Sequence, residues 1–351
     1  MTAPEAPQAA PRDSFAGLKA AASIAIVLAG LKAAAPVFVP LTFALFLVIL
    51  ALPLLAWLRR RGLPTWLAML LTLGLLAAVV FGLGFVVVVS VSQVSELAPQ
   101  YQARIDTWNH QLEPWLTRFG LDAADTNIAG YLDVERLFSL ASGALSRLTA
   151  LVWFLLLVLL ITVFTFVESL VFRDKLAHAL GESNGVVERF GRITRDVQQY
   201  LLVKTAISLA TGAAVGIWLW IVGVDLPILW GLLTFLLNYI PNVGQVAAAV
   251  PPTLLAFLQL GPARALATIA GFLLVNVVIG NIIEPNLMGR RLGLAPVVVL
   301  ISLVFWGWMW GMVGTLIAVP LTMMIKILLE NSENLGWIAK LMGPKPRPLS
   351  P

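Results

Sequence analysis

Pro227-Ile228-Leu229-Trp230, Pro241-Asn242-Val243-Gly244 and Ala249-Val250-Pro251-Pro252-Thr253 mark the opening, the break and the close of an apolar segment that this chain contains twice. The second copy opens at Pro296, breaks around Gly311 and Gly314, and closes on Ala318-Val319-Pro320-Leu321-Thr322. Pro227 to Pro296 and Thr253 to Thr322 are both shifts of 69 residues. As one straight helix, a segment of about 33 residues would run roughly 50 Å at ~1.5 Å per residue, well beyond a hydrocarbon core of ~30 Å. Each copy must therefore bend. Paired interrupted segments leave backbone groups free to hold a ligand or an ion at membrane depth, whereas a lone glycine more often serves close helix packing.

The remaining composition agrees with a membrane protein. Apolar residues make up 60% of the 351 and charged residues 12%, and the mean hydropathy is +0.92. Soluble domains do not reach these values. The 12 tryptophans and clustered basic residues fit interfacial anchors and charge-biased loops rather than a nucleic-acid surface. There is no cysteine, so disulfides and thiolate chemistry are excluded. His110 and His178, the only histidines, lack the spacing of a metal site, and no cofactor or metal is expected. Nucleotide-phosphate loops, H-E-x-x-H and G-x-S-x-G are all missing, which argues against an enzyme.

Hydropathy divides the chain into about eight segments. Residues 1–13 read as a cytoplasmic tail and 14–92 as three spans: Ala20 to Leu31, Pro36 to Leu58 and Trp66 to Val91. Lys32 and the apolar run from Val37 argue against a cleaved signal peptide. Arg59-Arg60-Arg61 marks the cytoplasmic side. Residues 93–147 carry seven acids against four arginines and read as an extracytoplasmic helical hairpin. Its stripe Tyr101, Ile105, Trp108, Leu112, Trp115 and Phe119 repeats at steps of three and four and predicts contacts between copies of the chain in a homo-oligomer. A fourth span occupies 148–172. Val186, Phe190, Ile193, Val197 and Tyr200 form one face of an amphipathic helix within 173–200, suited to the cytoplasmic interface or to covering a subunit. Residues 201–330 form the core, with a fifth span to Val222, the first repeat, a sixth span from Leu266 to Ile283, and the second repeat; 331–351 is a cytoplasmic tail.

The expected fold is an all-α polytopic membrane protein with six full spans plus two bent, re-entrant helical hairpins that form an inverted repeat, an arrangement suited to alternating access. Eight plain crossings are the alternative. Hairpins place Arg290 and Arg291 inside at the cost of moving only Arg264 outside, and both models leave the termini in the cytoplasm.

Polar groups inside the apolar segments concentrate near the breaks: Asn238, Asn242, Gln245, Asn276, Asn281, Glu284 and Thr322. With Pro241, Gly244, Gly311 and Gly314 they are the candidate substrate- or ion-binding residues. Buried polar groups at membrane depth are costly and point to function, although amides also bind helices to one another. Glu284 precedes Pro285 at the end of the sixth span and is either a proton- or sodium-binding group or the partner of Arg290 or Arg291.

Leu237-Asn238-Tyr239-Ile240-Pro241-Asn242-Val243-Gly244, Gly280-Asn281-Ile282-Ile283-Glu284-Pro285-Asn286-Leu287-Met288-Gly289, Leu292-Gly293-Leu294-Ala295-Pro296 and Phe305-Trp306-Gly307-Trp308 together resemble the autoinducer-2 exporter family of bacterial membrane proteins. The resemblance implies a multi-spanning inner-membrane permease for a small polar solute, with autoinducer-2 export in some relatives and sodium–proton exchange in others. Ala295 stands where many relatives carry histidine. A membrane scaffold that only holds partners is the alternative from another class. In this cysteine-free chain, a cysteine at Asn286 or Leu292 should react with an impermeant thiol reagent from the cytoplasmic side and one at Gln259 or Leu260 from the outer side; the reverse pattern would leave eight plain crossings.

Overall fold

The computed structural model describes residues 16–118, 153–172, 186–241, 243–288, 293–330 and 335–343, with Lys175, His178 and Ser332 between them; the side chains of 94–118, 186–190 and a few further positions lie outside that description. Described secondary structure is entirely helical. In chain order the helices are α1 (Ala16–Ala33), α2 (Ala35–Arg60), α3 (Thr65–Arg118), α4 (Trp153–Phe172), α5 (Val186–Val222), α6 (Pro227–Leu237) and α7 (Val243–Leu260). They continue as α8 (Pro262–Val275, then a π-helix Asn276–Ile283), α9 (Glu284–Met288), α10 (Pro296–Leu316), α11 (Ala318–Glu330) and α12 (Gly336–Met342). Seven of the described helical stretches are long and apolar enough to cross a membrane. The chain is an all-α polytopic membrane protein.

The apolar part of α1, Ala21–Ala33, agrees with the expected Ala20 to Leu31, but at ~1.5 Å per residue it is about 20 Å long and short for a full crossing. One boundary differs from the sequence reading. The amphipathic segment before the fifth span is not a separate helix lying on the surface; it runs without a break into that span as the 37-residue α5. Val197 and Tyr200 are buried in a cluster with Phe46 and Ile49 of α2, and Gln198 Nε2 donates to the Ile49 carbonyl at 3.0 Å. Packing on α2 therefore holds this helix, and no proline or glycine stop separates it from the span. The third span does continue into the wetter helix, as one 54-residue α3. The stripe from Tyr101 to Trp115, Phe119 and the second half of the 93–147 segment fall outside the described side chains or residues.

Both repeats reverse direction by the same steric device. In the first, α6 is 11 residues long, roughly 16 Å, and so too short to cross. The chain turns at Asn238 to Pro241, and Gly244 returns directly against the Leu237 carbonyl, where any Cβ would collide. In the second, Gly311 breaks α10 at φ 67° and ψ −150°, and Gly314 returns against the Trp306 carbonyl in the same manner. The two breaks are thus hairpin turns closed by a glycine on a main-chain oxygen. A third glycine contact joins α5 to α6: a Cβ on Gly212 would lie 2.5 Å from the Gly231 carbonyl oxygen, so the backbones can approach only without side chains. The second hairpin is tied to the N-terminal helices, with Trp310 Nε1 donating to the Leu31 carbonyl at 3.4 Å and Lys32 over the Trp308 ring at 4.0 Å.

Gly244→Ala and Gly314→Ala should each lower stability by about 2 kcal/mol, in the range of overpacked cores, while Gly74→Ala, whose Cβ meets nothing within 4 Å, should be neutral or better. Unfolding in detergent followed by tryptophan fluorescence checks this; equal midpoints for all three would contradict the turn geometry.

Candidate functional site

Two polar stripes on otherwise apolar helices face each other beside the first hairpin turn. On α5, Tyr200, Lys204 and Ser208 recur every four residues, which places them on one helix face. On α8 and its continuation, Asn276, Gly280 and Glu284 recur at the same spacing. Pro285 offers no N–H to the carbonyl four residues before it and its ring crowds that carbonyl. The helix widens upstream into a π-turn, and the Glu284 N–H bonds to the Ile279 carbonyl, five residues back. Such bulges recur at functional sites because they free or re-aim groups within a helix.

The hairpin turn enters between the stripes. Asn238, 2% exposed, donates from Nδ2 to Ser208 Oγ at 3.0 Å and accepts from Gln245 Nε2 at 3.1 Å. Gln245 lies over Gly280: a methyl group there would sit 2.6 Å from Asn276 Oδ1 and 3.1 Å from Gln245 Nε2. Gly280 keeps that space open. Tyr239 shares a 2.6 Å hydrogen bond with the Thr205 hydroxyl. One residue before Thr205, Lys204 Nζ meets Glu284 Oε1 at 2.5 Å, with the lysine 3% exposed and the glutamate 20%. Both charges lie in helical stretches apolar enough to span a membrane, Thr194–Val222 and Pro262–Leu287. An apolar cleft of about 820 Å³ between α2, α3, α5 and α6 is lined in part by Thr205, the hydrogen-bond partner of Tyr239.

The structure therefore brings together Asn238, Gln245, Asn276 and Glu284, with Pro241 and Gly244 shaping the turn beside them. Asn242 lies outside the described residues, as do Arg290 and Arg291. Asn281 is exposed. Gly311, Gly314 and Thr322 belong to the second hairpin, where Trp306 Nε1 donates to Thr322 Oγ1 at 3.1 Å. At the positions 69 residues earlier stand Leu237 and Thr253, and the Thr253 hydroxyl, buried and lacking an indole donor, has no partner. Lys204 and Ser208 are the residues the sequence reading missed. In the sequence Lys204 is a single charge at the border between the amphipathic and apolar stretches; counted by helical face, it is the centre of the Tyr200–Lys204–Ser208 stripe. It, rather than an arginine, is the described partner of Glu284.

Asn238→Leu removes an amide that two neighbours need, and should cost about 1–2 kcal/mol, whereas Asn281→Leu on the exposed face should cost little. Thermal midpoints of the two variants in detergent check the assignment; equal losses would contradict the buried network.

A family model described as AI-2E family transporter matches residues 22–334. The AI-2 transport protein TqsA of Escherichia coli (strain K12) is 35% identical over 319 residues, covering 91% of this chain and 93% of its own. A putative transport protein of Haemophilus influenzae is 35% identical over 328 residues, with 92% and 94% covered. The putative transport protein YhhT of Escherichia coli (strain K12) is 33% identical over 323 residues, with 92% and 93% covered. A family model over nearly the whole chain and relatives of 33–35% identity along matched length lead to one conclusion: the chain belongs to the AI-2E family of transporters and is a multi-pass membrane transport protein.

Proposed function

We propose that this chain is a secondary transporter of the bacterial inner membrane that holds a small polar solute at the turn of the first hairpin and couples its movement to a proton or sodium ion at Glu284. The observation that carries the reading is the convergence of α5, the hairpin turn and the π-helix on one set of polar side chains, in a part of the chain that is otherwise apolar. Amides and hydroxyls suit a polyhydroxylated or carbonyl-bearing solute, since each offers both donors and acceptors. The name of the TqsA relative supports autoinducer-2 or a solute like it. The two glycine-closed hairpins supply paired elements whose rocking would open the site to one side and then the other. With both termini in the cytoplasm, the hairpins re-enter from opposite faces. A homo-oligomer would cover part of the exposed apolar helix surface.

Glu284→Gln keeps shape and removes charge. In proteoliposomes the variant should insert and assemble, yet lose solute or ion flux driven by a pH or sodium gradient. Wild-type flux in the folded variant would remove the coupling role. No gradient-driven flux in the wild-type protein, for autoinducer-2 or for sodium, would favour the scaffold reading instead.

A further inference from the structure

Glu284 already has a cation. Lys204 Nζ lies 2.5 Å from Oε1, and Glu284 is the only acid that Lys204 reaches among the described residues. The two partners differ in access, because the ammonium is 3% exposed while the carboxylate is 20% exposed. A buried charge that loses its partner is strongly disfavoured, so whatever binds the carboxylate must replace what Lys204 supplies. Oxygen atoms suited to a hard monovalent cation, Asn276 Oδ1 and Gln245 Oε1, lie beside Gly280, which is one turn before Glu284.

We propose that Lys204 is the resident cation of an exchange site, and that a monovalent ion reaches Glu284 only by displacing the Lys204 ammonium. This rests on the coupling reading above and adds the competitor to it. Sodium arrives with one positive charge, the ammonium releases one proton to water and remains as a neutral amine, and the net charge of the site is unchanged. Two tyrosines stand near the pair: Tyr200 of α5 lies close enough to interact with Glu284 and with Tyr239 of the hairpin turn, and Tyr239 is held by Thr205. In the displacement, the proton that sodium exchanges for is the one on Lys204. A pair with a purely structural role behaves differently, because arginine would then serve as well as lysine.

The test is binding of radioactive sodium to the detergent-solubilised full chain by scintillation proximity across pH. Lys204→Gln removes a tethered competitor, and should bind sodium about tenfold or more tightly than the wild-type protein. Lys204→Arg keeps a cation that cannot give up its proton, and should bind sodium about tenfold or more weakly at every pH. The double variant Lys204→Gln/Glu284→Gln, which leaves no unpaired charge, should bind none. If Lys204→Gln does not fold, the arginine variant carries the test, since a structural pair gives it wild-type affinity. Equal sodium affinity in the wild type and both single lysine variants, absence of binding in all of them, or binding that survives in Glu284→Gln overturns the proposal. Loss of flux in Glu284→Gln together with lysine-independent sodium binding removes the displacement alone; retained flux in Glu284→Gln removes the coupling reading beneath it.

Discussion

A lysine and a glutamate set among apolar helices are tolerable only together. Taking an ammonium or a carboxylate out of water costs several kcal/mol, and the attraction between them offsets that cost only at contact distance and with neighbouring hydrogen bonds in place. The Lys204–Glu284 pair is in contact at 2.5 Å, and much of the core's geometry follows from it. Glu284, the first residue of α9, must face α5, and the π-turn before Pro285 lies directly upstream of it. Gly280 must carry no side chain, because two amides occupy the space where one would go. Tyr239 and Asn238 must reach in from the hairpin turn to bond Thr205 and Ser208, which fixes how deeply the first hairpin inserts.

The hairpins add a second constraint of a different kind. A helix that turns back on itself in apolar surroundings has to satisfy its turn internally, since lipid offers no hydrogen bonds. Both repeats do this by pressing a glycine onto a carbonyl near the end of the preceding arm, and the first then covers its turn with the amides of Asn238 and Gln245. The second covers its break with tryptophans, in the chain Phe305, Trp306 and Trp310, and buries the Thr322 hydroxyl under an indole. The repeats share a fold and differ in chemistry. One is polar at its turn and faces the ion pair; the other is aromatic and is fastened to α1 and α2.

Much of this was legible in the sequence. The 69-residue shift, the Gly and Pro breaks and the amides around them identify the hairpins, because a helix too long for the bilayer must bend where its hydrogen bonds are weakest. Asn238, Gln245 and Glu284 follow from the cost of burying polar groups. What the sequence hid depends on three-dimensional facing. Lys204 looks like one more interfacial charge until α5 is known to run unbroken from Val186, which puts the lysine well inside the helix and its four-residue stripe against α8. Asn281 has the same side chain as Asn238, but it follows Gly280 by one residue, about a quarter-turn off that face, and is exposed, which composition cannot report. The length of α5 was also unreadable, because a change from amphipathic to apolar composition looks like a boundary even where the backbone continues.

The central claim is that the polar cluster at the first hairpin turn is a water-accessible site that opens alternately to the two sides of the membrane. Because the chain contains no cysteine, a single Gln245→Cys protein in sealed vesicles of known orientation measures this directly with an impermeant thiol reagent. The account predicts reaction from each side in turn, slowed from both by the transported solute and shifted toward one side by an imposed ion gradient. A cysteine at this position that reacts from neither side, with or without a gradient, would contradict it and make the cluster a closed structural contact.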